Sequence, residues 1–362
     1  MTVTPTKPLT VTHAKALLWL DVIHRSSREL TETTYLWNPR LSNLTAQTAA
    51  FWHYLDRVAA GMEWSRCSER ELGELYVRSH TEADRPAYDA IRPYLERVET
   101  EGWIHPASRR LLQLWTEQLR LLNAGDHGLT ANRPLELSAD TVLGLLDDRD
   151  LLIDHRRFGG PVYLDGTVWG LPLRQLIGAD GHLNYLLQVL RQLIPLTGAD
   201  VRLLLVFDQE LTQDYVLLDR VLATLGARVA RLALGRVPLG GMVKSSRHGG
   251  WEGRTLADLS RACLEDVDLP TYRLGMRIYF VTVLERTSHQ SFRPELLRRS
   301  LLRARRILDA LPQHAERETE YLDFLRRMWN SRGYVDPYRL TNSLLCRHGT
   351  APVGRLVPSV YL

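Results

Sequence analysis

Cysteine is scarce, with three residues in 362, at Cys67, Cys263 and Cys346. Odd in number and far apart, they exclude a disulfide-stapled scaffold and any CxxC metal pair, and they point to a reducing cytoplasmic setting. Long hydrophobic runs are missing too. The longest, such as Leu203 to Phe207, falls far short of the roughly 20 residues of a membrane-spanning helix, so no membrane segment is expected. Met1-Thr2-Val3-Thr4-Pro5 has no basic stretch leading into an apolar core, so no secretory signal is read and the acceptor pattern Asn43-Leu44-Thr45 carries no weight. Strong charge of one sign is also lacking. A net charge of +4 with a pI near 9.0 permits contact with nucleic acid without requiring it.

Several motifs of known chemistry are absent. There is no HExxH or other tight metal spacing, so no metal ligand is assigned. Gly-x4-Gly-Lys-Ser/Thr, Gly-x-Gly-x-x-Gly and Gly-x-Ser-x-Gly do not occur, and no internal repeat is apparent. What remains, 44% hydrophobic and 24% charged residues, is the composition of an ordinary globular chain.

The apolar pattern divides the chain into three blocks. Residues 1–155 read as helical, with stripes at Leu17, Leu18, Leu20 and Ile23, at Phe51, Leu55 and Val58, and at Leu111, Leu112, Trp115, Leu119 and Leu122. Tryptophans and histidines crowd this block. Core packing explains them better than a ligand-stacking or metal site, since no tight ligand spacing is present. Asp147-Asp148-Arg149-Asp150 followed by Gly159-Gly160-Pro161 marks a candidate boundary.

Residues 156–262 switch to strands and helices in alternation. Val162-Tyr163-Leu164 suits a short strand, and Leu183 to Ile194 carries a helical stripe. Val201 to Phe207 suits a strand buried on both faces. A helix through Leu218 and Leu222 and a strand from Val229 to Leu234 follow. This order predicts an α/β fold, a Rossmann-like parallel-sheet core flanked by N-terminal and C-terminal helical regions. Residues 263–362 read as helical to about 330, then as an extended, proline-bearing tail packed on the body. Arg298, Arg299, Arg303, Arg305 and Arg306 crowd the helix near 296–311. They suit a nucleic-acid backbone and, equally, a solvated face paired with Glu316, Glu318 and Glu320.

Three pieces carry chemistry. Gly181-His182-Leu183-Asn184 opens a helix, where backbone N–H groups and the imidazole favour phosphate oxygens. Asp208-Gln209 ends the buried strand, where a carboxylate suits a ribose hydroxyl or a substrate amine. Asp165, Asp180 and Asp214 suit a general base or a Mg²⁺ ligand, and equally a helix cap, which leaves Asp208 the one acid assigned to a site. Gly240-Gly241-Met242-Val243-Lys244-Ser245-Ser246, with Gly249-Gly250 beyond, sets a lysine and two hydroxyls in a backbone that can approach phosphate closely. Alone, this stretch reads as a glycine-rich surface turn. The strand before it and Thr255-Leu256-Ala257-Asp258-Leu259 after it favour the phosphate reading.

Over roughly residues 160–312 the chain resembles the class I aminoacyl-tRNA synthetases. Gly241-Met242-Val243-Lys244-Ser245 is similar to their Lys-Met-Ser-Lys-Ser loop, with Gly241 in place of the first lysine and Lys244 in the second lysine position. Thr255 to Leu259 is similar to the segment that follows that loop. Tyr272 to Phe280 and Ser291 to Leu297 are similar to the helical stem-contact region of the cysteinyl, methionyl and arginyl enzymes. His182-Leu183-Asn184 stands as the histidine signature with its second histidine replaced, or as a later Gly-x-Asp-x-x-x-Asn turn. About 25 residues separate this turn from Asp208, too few for the usual inserted connective domain, and no anticodon-binding domain is evident.

The resemblance implies ATP-dependent activation of an amino acid or related carboxylate, with Mg²⁺, and transfer to a tRNA or small amine in specialised metabolism. His182 and Lys244 would be catalytic. Gly181, Asn184, Ser245 and Ser246 would hold ATP, and Asp208 and Gln209 would face the substrate. Two rivals keep the fold: an ATP-independent enzyme that resembles cyclodipeptide synthases and uses charged tRNA, and a non-catalytic relic that binds tRNA or a partner.

Overall fold

The structure is a computed structural model and describes all residues except 1–3, 82, 83, 85, 126, 240–248, 288, 289, 313–315 and 347–350. The chain divides into two compact units, each assembled from separated stretches.

The first unit comprises Met1–Lys7, Trp37–Gln113 and Gly128–Leu232. Its helices include Ala46–Val58, Glu69–Thr81, Tyr88–Glu101 and Ala139–Asp147. The helix Tyr88–Glu101 stops at Gly102, whose φ of +67° is the left-handed conformation that closes helices. The strands β1 (Leu152–Asp154), β2 (Val162–Leu164) and β3 (Arg174–Ile177) form an antiparallel sheet in that order. The expected strand Val162–Leu164 is therefore present, but in a meander. Short turns closed by Gly159 (φ +70°) and Gly170 (φ +68°) join its strands, and turns of that length can connect only antiparallel neighbours.

The predicted βαβ stretch follows. After the helix Tyr185–Leu193 come β4 (Arg202–Asp208), the helix Thr212–Thr224 and β5 (Arg228–Leu234). β4 and β5 pair as a small parallel sheet. Among the described residues this parallel sheet has two strands, one crossover unit rather than a full Rossmann core. Leu203, Leu205, Val206 and Phe207 are buried, as the continuous apolar run requires.

The second unit comprises Pro8–Leu36, Leu114–His127 and Ala233–Leu362. The helix Val11–Ser27 is buried along most of its length, including Lys15, Trp19 and Asp21. The helix Leu269–Arg277 runs into a π-helical turn, Ile278–Val283. Trp19 Nε1 donates to the Phe280 carbonyl of that turn at 3.0 Å, a partner for a group in a stretch where the helical ladder is widened. Arg277, fully buried, donates from Nε to Asp21 Oδ2 at 3.0 Å, and Arg25 Nε donates to Asp21 Oδ1 at 3.1 Å.

The helix Pro294–Asp309 lies against Leu269–Arg277 at a glycine. A Cβ on Gly275 would come within 2.9 Å of Leu301 Cα. Gly275→Ala is expected to lower stability by about 1–3 kcal/mol through overpacking, although alanine is intrinsically the better helix former by about 1 kcal/mol. Thermal unfolding checks the sign, and a raised midpoint would show that the two helices separate freely.

The tail from Gly333 departs from the extended conformation expected. Pro337–Ser343 and Val353–Leu356 are helices, and Val357–Tyr361 is a further π turn. Its prolines start helices instead of preventing them. Pro337 occupies the first turn behind Asp336, whose side chain accepts from Arg339 N at 2.9 Å. The tail is packed as expected, with Val357, Val360 and Tyr361 buried.

Candidate functional site

Between β3 and the helix Tyr185–Leu193 the chain makes a tight turn. Gly181 has φ +85°, a conformation that favours glycine. Asp180 Oδ1 accepts from His182 N at 3.0 Å, and Gly178 N donates to His182 O at 2.8 Å. The turn thus fixes His182, half-buried beside the Tyr88 ring at 5.6 Å between centroids. Asn184 is the helix cap: its Oδ1 accepts from Leu186 N at 3.0 Å. That oxygen satisfies one of the donors a phosphate would use, so an anion here would meet fewer open N–H groups than an uncapped start offers.

Asp208 ends β4, and its Oδ1 accepts from Glu210 N at 3.1 Å, closing the short turn Gln209–Leu211. Gln209 is exposed. The two sequence pieces are linked through residues the pattern does not single out together. Asp214, one turn beyond Gln209 and buried, accepts a hydrogen bond from Tyr185 Oη. Arg174 Nη2 donates to Asp214 Oδ2 at 2.9 Å, and Arg174 Nε lies 2.9 Å from Oδ1. Burial, then the bond to Asp214, pushes the Tyr185 phenol far above its usual range.

By sequence Asp214 suits a base, a Mg²⁺ ligand or a helix cap, and it is instead the joint between two helix starts. Its partners lie 40 and 29 residues away, so no local spacing could announce them. The turn carrying His182 and Asn184 and the turn carrying Asp208 and Gln209 therefore flank one polar joint.

Gly241, Lys244, Ser245 and Ser246 lie outside the described residues. The segment after them has a local physical explanation. Thr255 Oγ1 accepts from Asp258 N at 3.1 Å, and Asp258 Oδ2 accepts from Thr255 N at 3.2 Å, a reciprocal box that starts the helix Leu256–Leu264. The Thr-Leu-x-Asp-Leu pattern thus encodes a helix start.

The aromatic N-terminal block is core. Trp52 Nε1 donates to Ser108 Oγ at 2.8 Å, Trp103 meets Trp52 edge-on at 5.3 Å, and His105 lies buried in contact with Asp56 at 3.2 Å. Burial lowers the His105 pKa and Asp56 partly opposes it. Among the described residues no group of three or more His, Cys, Asp or Glu side chains is placed to hold a metal ion, and no helix is long and apolar enough to cross a membrane.

The arginine-rich helix turns its charged face outward. Leu297, Ser300, Leu301 and Ala304 are buried, while Arg298, Arg299, Arg303, Arg305 and Arg306 are exposed. At 3.6 residues per turn the five arginines fall within an arc of roughly 160° on the opposite side. The acids expected as their partners are engaged elsewhere. Glu316 accepts from Gly354 N and Arg355 N at 3.2 and 3.1 Å, Glu318 pairs with Arg355 at 3.2 Å, and Glu320 with Arg317 at 3.2 Å. Among the described residues the five arginines form no ion pair.

No protein-family profile and no curated protein sequence matches the chain. Among solved structures it is similar to the arginyl-tRNA synthetase of Thermus thermophilus, at 16% identity and a TM-score of 0.62, over 99% of this chain and 78% of that one. At that identity the likeness shows the fold, one of class I aminoacyl-tRNA synthetase type.

Proposed function

We propose that the protein activates an amino acid or related carboxylate with ATP and passes the acyl group to a tRNA or a small amine. The observation that carries this reading is the synthetase fold shared along 99% of the chain. The Gly241–Ser245 pattern between a strand and a capped helix agrees with it. A carboxylate oxygen attacks the α-phosphorus in line, the bond to the β-phosphate oxygen breaks, and pyrophosphate leaves. The chain's part is to position and neutralise. His182, held by the Asp180 turn, would donate to phosphate oxygens. Asn184, its oxygen engaged in the cap, would offer only its amide N–H₂. Lys244, Ser245 and Ser246 would stabilise the leaving pyrophosphate, and Asp208 and Gln209 would face the ribose or the substrate. Magnesium would accompany ATP as part of the substrate. Amino-acid-dependent ATP–pyrophosphate exchange tests the reading; no exchange with any amino acid by folded protein overturns it.

The acceptor assigned first is RNA, because five exposed arginines with no ion pair among the described residues suit a phosphate backbone. Arg299→Glu with Arg303→Glu is expected to weaken tRNA binding at least tenfold. It should also flatten the salt dependence by about one unit of log–log slope for each phosphate no longer neutralised. Filter binding across a salt series measures both, and unchanged affinity removes the face from the RNA site.

One observation favours the second reading, in which charged tRNA is used without ATP. Asn184 caps its own helix where the synthetase-like signature would have a second histidine. Dipeptide formation from charged tRNA in the absence of ATP would decide for it.

A further inference from the structure

In the first unit, the hairpin of β1 and β2 ends in the turn 155–160, where Phe158 is 73% exposed. The turn is closed by its own backbone. His155 N donates to Pro161 O at 3.1 Å, and His155 O accepts from Phe158 N at 2.9 Å and from Gly160 N at 3.0 Å. Gly159 N donates to Arg156 O at 2.9 Å. Gly159 supplies the left-handed step, and a Cβ on Gly160 would meet His155 Cβ at 2.8 Å. The fold therefore asks nothing of the Phe158 side chain, a large apolar ring held in water at a fixed place.

Its neighbours carry charge and further rings. Arg157 lies over the Phe158 ring, its Cζ 4.5 Å from the centroid, and among the described residues it forms no ion pair. Arg156 is offset by Asp154 at 2.7 Å and Asp140 at 3.8 Å. Arg157 is thus the charge left for a partner. His155, exposed, meets Tyr163 edge-on at 6.2 Å between centroids. Tyr163 stands between the buried Val162 and Leu164, so the alternation of β2 turns it to the other face of the sheet, across from Ile153. An exposed ring beneath a guanidinium, with more rings beside it, suits the stacked bases and phosphates of a single-stranded nucleic acid. A membrane or an apolar protein groove would call for a contiguous apolar patch. From 154 to 159, every residue other than Phe158 is polar or glycine.

We propose that the tip of this hairpin binds an unpaired nucleotide of an RNA, whose base stacks on Phe158 while an adjoining phosphate meets Arg157. His155 and Tyr163 extend the contact toward the next nucleotide. The choice of RNA over DNA rests on the acceptor reading above; the stacking site itself does not, and it needs no ATP. The two RNA surfaces differ in what they sense. The arginines of the helix Pro294–Asp309 meet backbone charge, whereas Phe158 needs a base with a free face, which a duplex does not offer because its bases stack on one another. Because the turn is closed by its own backbone, little order remains to be imposed when a base arrives.

The experiment follows fluorescence anisotropy of a labelled oligouridine of about eight nucleotides, and of a blunt RNA duplex, with the full-length protein. The variants are Phe158→Ala, Phe158→Leu, Phe158→Trp and Arg157→Gln. Kd for the single strand is expected to rise about tenfold in Phe158→Ala and Phe158→Leu, and to stay at or below the wild-type value in Phe158→Trp, which enlarges the stacking face. Arg157→Gln should weaken single-strand binding about threefold and flatten its log–log salt slope by about 0.7, the share of one phosphate. Kd for the duplex should change less than about twofold in all four. Arg299→Glu with Arg303→Glu, measured beside them, should weaken the duplex and leave the Phe158 dependence of the single strand intact, so the two surfaces fail separately. No single-strand binding by the wild type, or undiminished binding in Phe158→Ala, overturns the site. Loss in Phe158→Ala with wild-type affinity in Phe158→Leu overturns stacking and makes the tip an apolar contact of the kind a protein partner uses. Tighter binding of the matching oligodeoxyuridine overturns RNA as the partner.

Discussion

Replacing Asp21 by alanine is expected to destabilise the protein by about 3–5 kcal/mol, because it strands a buried guanidinium. Arg277 is 0% exposed, and its Nε and Nη2 both donate to Asp21 Oδ2. Its Nη1 donates to a neutral acceptor, the Arg273 carbonyl at 3.1 Å. Asp21→Asn keeps the shape and still leaves the charge without a counterion, so most of the destabilisation should persist. The double replacement Asp21→Leu with Arg277→Met should recover much of it, since removing both members of a buried pair is often close to neutral. Urea unfolding of these variants beside the wild type measures the coupling. A decrease below about 1 kcal/mol in Asp21→Ala would show that water reaches Arg277 and that the pair is not the anchor its burial indicates.

The second large effect concerns chemistry. If the ATP reading holds, Lys244→Ala should lower the rate of amino-acid-dependent pyrophosphate exchange by about 10²–10³-fold, the range found when one group stabilising a transition-state charge is removed. KM for the amino acid should stay near its wild-type value, since the lysine acts on the leaving phosphates and not on the amino acid itself. Lys244→Arg should restore only part of the rate, because a planar fork does not reproduce a compact ammonium. A change below threefold would remove Lys244 from the reaction. Abolished exchange combined with undiminished tRNA binding would separate catalysis from the arginine face.

The sequence is most readable where burial is continuous. Leu203 to Phe207 announces β4 by an unbroken, largely buried apolar run, whereas β5, only partly buried and carrying Arg231, is announced by its alternation with the helix before it. The helices Val11–Ser27 and Ala46–Val58 follow from regular apolar spacing. The tail misleads because Pro337, Pro352 and Pro358 look like breakers, whereas the first turn of a helix accepts proline. The site is legible only in part. His182, Asn184 and Asp208 stand out by position, but Asn184 and Asp208 also do local capping, and one residue type serves both ends equally well. Arg174, Tyr185 and Asp214 form the joint between those turns through bonds that skip tens of residues, and such pairings leave no periodic trace. The arginines are visible by composition. That their expected partners bind elsewhere emerges only from the folded chain.

The scattered make-up of the second unit has a consequence for how the protein is born. The helix Val11–Ser27 leaves the ribosome well before its buried partner, since Arg277 follows Asp21 by 256 residues. At 5–20 residues per second that interval is on the order of ten to fifty seconds. Throughout it a helix carrying Leu18, Trp19, Val22 and Ile23 has no finished core to enter. Nascent chains halted before residue 277 should therefore hold this helix in a protease-sensitive, chaperone-accessible form, and release of the full chain should protect it.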